Sequence, residues 1–249
     1  MKVGLFILML TLGFFNSHFT NTMSHSAADP STYMVHPVSK PILIDGNWEK
    51  KEWKEVPAIE IAFHMGETPS FSPKTEVKLR YDKDNIYGIF KVQDRYVQCL
   101  VQEINGPVST DSCVEFFFSP DVAAPLEYFN LEINCSGVPL LHYVTSPRKE
   151  YKVLDPEDIR QIEIAHSMPD KVDPEIREDT TWYIEFKMPV SILKEHRNIS
   201  TPAPGVTWKA NFYKTGSKTS NPHYFTWNEV INDRPDFHLP RYFGNITFQ

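Results

Sequence analysis

The sequence predicts an all-β protein, an antiparallel β-sandwich, and three observations carry the prediction. Short segments in which apolar and polar residues alternate recur along the 249 residues. Turn residues separate them at near-regular spacing, and no strand-helix-strand alternation of the kind a parallel sheet needs is present. With 41% hydrophobic and 13% aromatic residues the chain can build a sizeable core. No internal repeat divides it, so one domain is expected. The formal charge of -7, with no run of Lys or Arg, argues against a nucleic-acid partner.

The chain opens with Met1-Lys2 and the apolar run VGLFILMLTLGFF, too short to span a bilayer comfortably. That is the pattern of an export signal, with small residues Ser26-Ala27-Ala28 before Asp29, so residues 1–28 are read as a signal peptide. The mature protein is then expected outside the cytoplasm, secreted or periplasmic. Residues 29–40, polar and Pro-containing, read as a linker, and 41–249 as the domain.

The domain starts with PILIDGNWEKKEWKEV, whose Trp48 and Trp53 are expected to plug a core. AIEIAF (58–63) alternates like a strand. TEVKLRY, the turn DKDN and IYGIFKVQD form a hairpin with Val77, Leu79, Tyr81, Ile86, Phe90 and Val92 on one face. A long connection over 95–110 leads to DSCVEFFFSPD, and a turn joins this to EYFNLEIN.

These last two segments are the most informative in the chain. Pairing Val114 with Ile133 sets Phe116 against Leu131 and Phe118 against Phe129, which gives one apolar face. Glu115, Phe117, Asn130, Glu132 and Asn134 then share the other. A row of acids and amides backed by a core is a surface suited to a polar ligand. Cys113 and Cys135 sit at the outer ends of this pair, but the register points them to opposite faces. A disulfide between them needs the register to slip by one. The third cysteine is Cys99, and no Cys/His spacing of the zinc type is present.

PLLHYV continues the sheet, and the charged stretch RKEYKVLDPEDIRQ reads as a solvated loop or short helix. IEIAHSM and WYIEFKMPV are further strands, the second with Trp182, Ile184, Phe186 and Met188 on its apolar side. SILKEHR suggests one helical turn. VTWKANFYKTG turns Trp208, Ala210 and Phe212 inward and leaves Asn211 and Tyr213 on the opposite face. HYFTWNEV, with Trp227 assigned to the core, the loop INDRPDFHLPRY and the strand FGNITF close the chain.

Four segments in this order, ILIDGNWEKKEW, VKLRYDKDNIYGIFKVQD, DSCVEFFFSPD with YFNLEIN, and WNEV…RPDFHLPRYFGNITF, resemble the family 9 carbohydrate-binding modules and their DOMON-like relatives. The resemblance runs from about residue 41 to 249. It implies a jelly-roll-like or DOMON-like sandwich that binds a saccharide without catalysis, two aromatic rings clamping the sugar while polar side chains read its hydroxyls. It further implies association with glycoside hydrolases in polysaccharide degradation, and structural calcium. Carried over by position, Glu115 stands at the acidic place of the organising strand and Asn130 and Glu132 at sugar-contacting places. Arg234 is a hydrogen-bonding candidate and Phe237 one of the two clamps. Asn211, from the strand pattern, joins the ligand face. The second clamp position, just before Asp111, holds Gly106-Pro107-Val108-Ser109-Thr110 and no aromatic, with Tyr96 available as a substitute.

Two other readings compete. Glu115 and Glu132 on neighbouring strands could form the paired carboxylates of a glycosidase. Some DOMON relatives bind haem through Met and His, and His64, Met65, His142 and Met188 are available. GxSxG and HExxH motifs are absent from the sequence. Protein interaction is the remaining alternative for a site without its second clamp.

Overall fold

The computed structural model describes residue 1 and residues 30–249, so the expected export signal lies, Met1 apart, outside the described residues. Among those described, no helix is long and apolar enough to cross a membrane. The strands in chain order are β1 (Thr32–Pro37), β2 (Ile59–Glu60), β3 (Phe63–His64), β4 (Lys74–Tyr81), β5 (Asn85–Asp94), β6 (Val97–Cys99), β7 (Cys113–Ser119) and β8 (Tyr128–Asn134). They continue with β9 (Pro139–Ser146), β10 (Glu150–Val153), β11 (Glu163–His166), β12 (Val172–Ile176), β13 (Thr180–Pro189), β14 (Thr207–Thr215), β15 (Tyr224–Thr226) and β16 (Gly244–Phe248).

Two layers result. The front layer runs β10-β9-β8-β7-β14-β16-β1, and the back layer runs β1-β4-β5-β13-β11. β1 belongs to both: Thr32 to Val35 pair with β16, and His36 and Pro37 pair with β4. Both pairings are parallel, and the other ladders are antiparallel. This corrects the linker expected over 29–40. Tyr33 and Val35 point inward and are buried while Thr32, Met34 and His36 take the other face, so the polar Thr32 and His36 that suggested a linker are one face of a strand.

The core lies between the layers. Val114, Phe116, Phe118, Leu131 and Phe212 from the front meet Leu79, Phe90, Trp182, Ile184 and Phe186 from the back. Phe116 stacks near Phe186 at 6.4 Å between centroids, and Phe90 meets Phe212 edge-on at 6.2 Å. Gly88 of β5 lies opposite Phe186 of β13 and has no room for a side chain, since a Cβ there would stand 2.3 Å from that ring. Trp48 and Trp53 cover the outside of the back layer over Tyr87 and Ile89, as the sequence predicts.

The expected register between β7 and β8 is observed: Val114 pairs with Ile133, Phe116 with Leu131 and Phe118 with Phe129. Cys113 accordingly lies across from Asn134, and all three cysteines are buried free thiols. Cys135 instead approaches Cys99, its thiol 3.9 Å from the Gln98 carbonyl. The charged stretch read as loop or helix contains β10, which hairpins back onto β9 with every residue exposed, followed by one helical turn over Pro156–Ile159. The long connection of 95–110 carries β6, which pairs with β12 as a small separate sheet.

Candidate functional site

The outer face of the front layer carries the site. Alternation along β7 and β8 puts Glu115 and Phe117 beside Glu132 and Asn130 on this face, and each pair sits directly across the ladder. Under most of a sheet this face would meet water. Here three loops close over it: the turn at 108–110 before β7, the β9–β10 turn, and the segment 235–238 before β16. Together they form a cavity of about 210 Å³ lined by Glu115, Phe117, Glu132, Arg148, Asp236 and His238, with Ser109, Tyr224 and Phe237 among its walls.

Glu115 and Glu132 are 2% and 7% exposed, and their oxygens share little water. Burial lifts the Glu132 carboxyl to about 7, although hydrogen bonds from Asn130 and Ser109 and the charge of Arg148 pull it down. Burial, and next the charge of Glu132, raise Glu115 well above the ordinary carboxylate range. Two carboxyl groups so placed resist ionising together, so the pair holds on to a proton above the ordinary carboxylate range. The Asn130 amide donates to Glu132 Oε1 at 3.0 Å. Glu115 Oε1 and the Asn130 carbonyl oxygen are buried and have no hydrogen-bond partner. Buried polar atoms normally find partners, so this floor offers unused capacity to a polar guest.

Arg148 supplies the positive charge. It sits at the β9–β10 turn in the left-handed region, φ 60°, and its guanidinium reaches across to Asp236, with Nε 3.0 Å from Oδ1. Burial works against the Asp236 carboxylate, yet the Arg148 contact and the His238 backbone N–H hold it below its usual range. Burial, then Arg148, lower the His238 imidazole to about 4, so it is neutral, and Nδ1 shares a 2.7 Å hydrogen bond with the Tyr128 hydroxyl.

Of the residues singled out in the sequence, the structure brings Glu115, Glu132 and Phe237 to one cavity and Asn130 to the hollow that adjoins it. Phe237, expected as an exposed clamp, is a wall: it is 8% exposed, and its ring lies on Tyr213 at 4.1 Å and 16°. Asn211 is buried and occupied. Its carbonyl accepts the backbone N–H groups of Phe212 and Asn228 and its amide donates to the Asn228 carbonyl, so it fastens β14 to the loop after β15. Arg234 is exposed and does not line the cavity; Arg148 provides the guanidinium there. Tyr96 packs edge-on against Phe71 and does not replace the missing clamp. Trp227 joins the core, as expected. Met188 is in the core and Met65 in the outer aromatic cluster, while His142 lies on β9.

Arg148, Asp236 and His238 were missed. The first lies in the charge run read as solvated, and only the hairpin turn aims it at the site. The other two flank Phe237 in PDFH, where a carboxylate and an imidazole beside a suspected contact residue were a usable signal.

Structural calcium, implied by the resemblance, needs several oxygen ligands converging on one point. Among the described residues no group of three or more His, Cys, Asp or Glu side chains converges to hold a metal. One oxygen-rich cluster, Asp45 Oδ1, both Glu185 oxygens and the Leu43 carbonyl, is filled by the Lys50 ammonium, 2.7 Å from Asp45 and from Glu185 Oε1. These residues do not fit a calcium ion.

The sequence profile of Carbohydrate-binding family 9 matches residues 41–248. The chain belongs to carbohydrate-binding family 9. Solved structures place the family 9 domain among relatives of the same fold. A protein from Bacteroides uniformis assigned to carbohydrate binding superposes with a TM-score of 0.79 at 24% identity, over 89% of this chain and 100% of that one. A family 9 module from Caldicellulosiruptor kristjanssonii in complex with glucose gives 0.59 at 14% identity, over 88% and 96%. The same organism's module with cellotriose gives 0.60 at 14%, over 88% and 94%. No curated protein matches the chain.

Proposed function

We propose that this family 9 domain binds a saccharide, without altering it, on the outer face of the front layer. The observation that carries the reading is the buried floor of Glu115, Asn130 and Glu132, which lines the cavity and its adjoining hollow and leaves Glu115 Oε1 and Asn130 Oδ1 without partners. While the Glu115–Glu132 pair holds a proton, one carboxyl donates an O–H and the other accepts, and Arg148 and Asp236 offer a donor and an acceptor at the rim. This mixture suits hydroxyl groups, each of which both donates and accepts. It does not suit a glycosidase, because the two carboxyl groups stand side by side on one floor rather than on either side of a bond to be cleaved.

The relatives from Caldicellulosiruptor kristjanssonii bound to glucose and cellotriose support the ligand class. The leading apolar run supports action outside the cytoplasm. A glycan array followed by calorimetry tests the reading. Binding of at least one plant, microbial or host glycan is expected, and Glu132→Ala should weaken it about ten- to a hundred-fold, the loss of a hydrogen bond to a charged or buried polar group. A clean negative across the array would remove the saccharide site.

A further inference from the structure

The polar face does not end at the cavity. Across β8, β9 and β10 the register sets Asn130 against His142 and His142 against Val153; one row over, Tyr128 faces Val144 and Val144 faces Tyr151. Residues paired this way point to one side of the sheet, so the floor continues outward to the free edge of β10. A second hollow of about 320 Å³ lies there, and Ser109, Glu132, Arg148 and His238 line both it and the first cavity.

Two features mark this hollow as built for a ligand. Asn130, 1% exposed, lines it and leaves its carbonyl oxygen without a partner. Tyr151 is 60% exposed, yet its ring is not loose: it lies on the His142 imidazole, 5.0 Å between centroids and 23° from parallel. Val153, on the same strand, is also exposed. A flat ring held in place from beneath, with its other side in water, is a platform for an apolar face of a sugar. Phe237 cannot serve in the same way, because Tyr213 already covers one of its faces and little of the ring is open.

Resting on the saccharide reading above, we propose that the hollow across β8–β10 is a second sugar subsite, with Tyr151 stacking on a ring and Asn130 and Arg148 contacting its hydroxyls. The ligand is then a chain of two or more sugar rings that leaves the site over the edge of β10, and a single sugar fills only the inner cavity.

Calorimetry on the full chain with glucose and cellotriose as probes tests this. The wild type should bind cellotriose about ten-fold or more tightly than glucose, Tyr151→Ala should bring cellotriose down to the glucose level, and Tyr151→Phe should retain the difference. Tyr151 is exposed on an edge strand, so its removal does not empty the core. Equal wild-type affinities for the two probes, or cellotriose binding unaffected in Tyr151→Ala, would overturn the second subsite while leaving the saccharide site in place. Failure of the wild type to bind either probe overturns this inference for such chains; the glycan array decides separately whether the saccharide reading falls too.

Discussion

A carboxyl group buried away from water loses its ordinary acidity, and Glu132 makes this measurable. Its value is raised from 4.5 to about 7. The stability due to its neutral form is therefore fully present below 4.5 and lost as the pH rises through about 7, because the unfolded chain ionises first. Unfolding in urea between pH 4.5 and 8 should show the wild type weakening by on the order of 2 to 3 kcal/mol across this window. Glu132→Gln should make the dependence shallower, the raised carboxyl of Glu115 supplying what remains, and a profile as steep as that of the wild type would mean that Glu132 does not titrate in this window. At position 237 the cost falls on folding: Phe237→Ala removes a ring packed on Tyr213 and should destabilise by about 2 to 4 kcal/mol, read from the same denaturant midpoint. Glu115, Asn130 and Glu132 were legible because strand alternation alone fixes their face. Asn211 obeyed the same alternation and still misled, since the loop that covers it lies seventeen residues away in sequence at Asn228 and leaves no periodic trace.

Among the elements, the segment from Leu43 through the helical turn Lys51–Lys54 has a function that its composition conceals. It lays Trp53 on the back layer and brings the Lys50 ammonium to Glu185, which is fully buried on β13. The Trp53 indole N–H donates to the same carboxylate at 2.7 Å. Removing one partner of such a pair strands the other, so Lys50→Ala should cost about 3 to 5 kcal/mol. Thermal melts with and without a chelator check the companion expectation: the wild type should melt at the same temperature in both, because an ammonium rather than a metal neutralises Glu185. The hairpin β9–β10 shows the limit of reading elements from charge. Four exposed residues on an edge strand carry no buried stripe, so nothing in RKEYKV separates strand from loop until β9 is seen to pair with it.

For the molecule as a whole, the sandwich was legible because its two inner faces are written as period-two runs: 77, 79 and 81, 114, 116 and 118, and 182, 184, 186 and 188. The β7–β8 register followed from matching apolar faces, and it holds residue for residue. What could not be read was closure. β1 looked like a tether because half its residues are polar, and its partners, β16 and β4, are far away along the chain. The groove shares this origin, since Ser109, Arg148 and Asp236 come from three separate loops that meet only once the front layer is assembled. Local patterns reveal faces; convergence of loops is a property of topology.

The parallel seam between β1 and β16 has a mechanical meaning. Thr32 lies beside Asn245 and Val35 beside Phe248, so the first and last strands run side by side in one direction. A pull between the two ends slides these strands past each other lengthwise, and their hydrogen bonds share the load together rather than parting one after another. A domain loaded between its two ends thus meets the strain in shear along this seam.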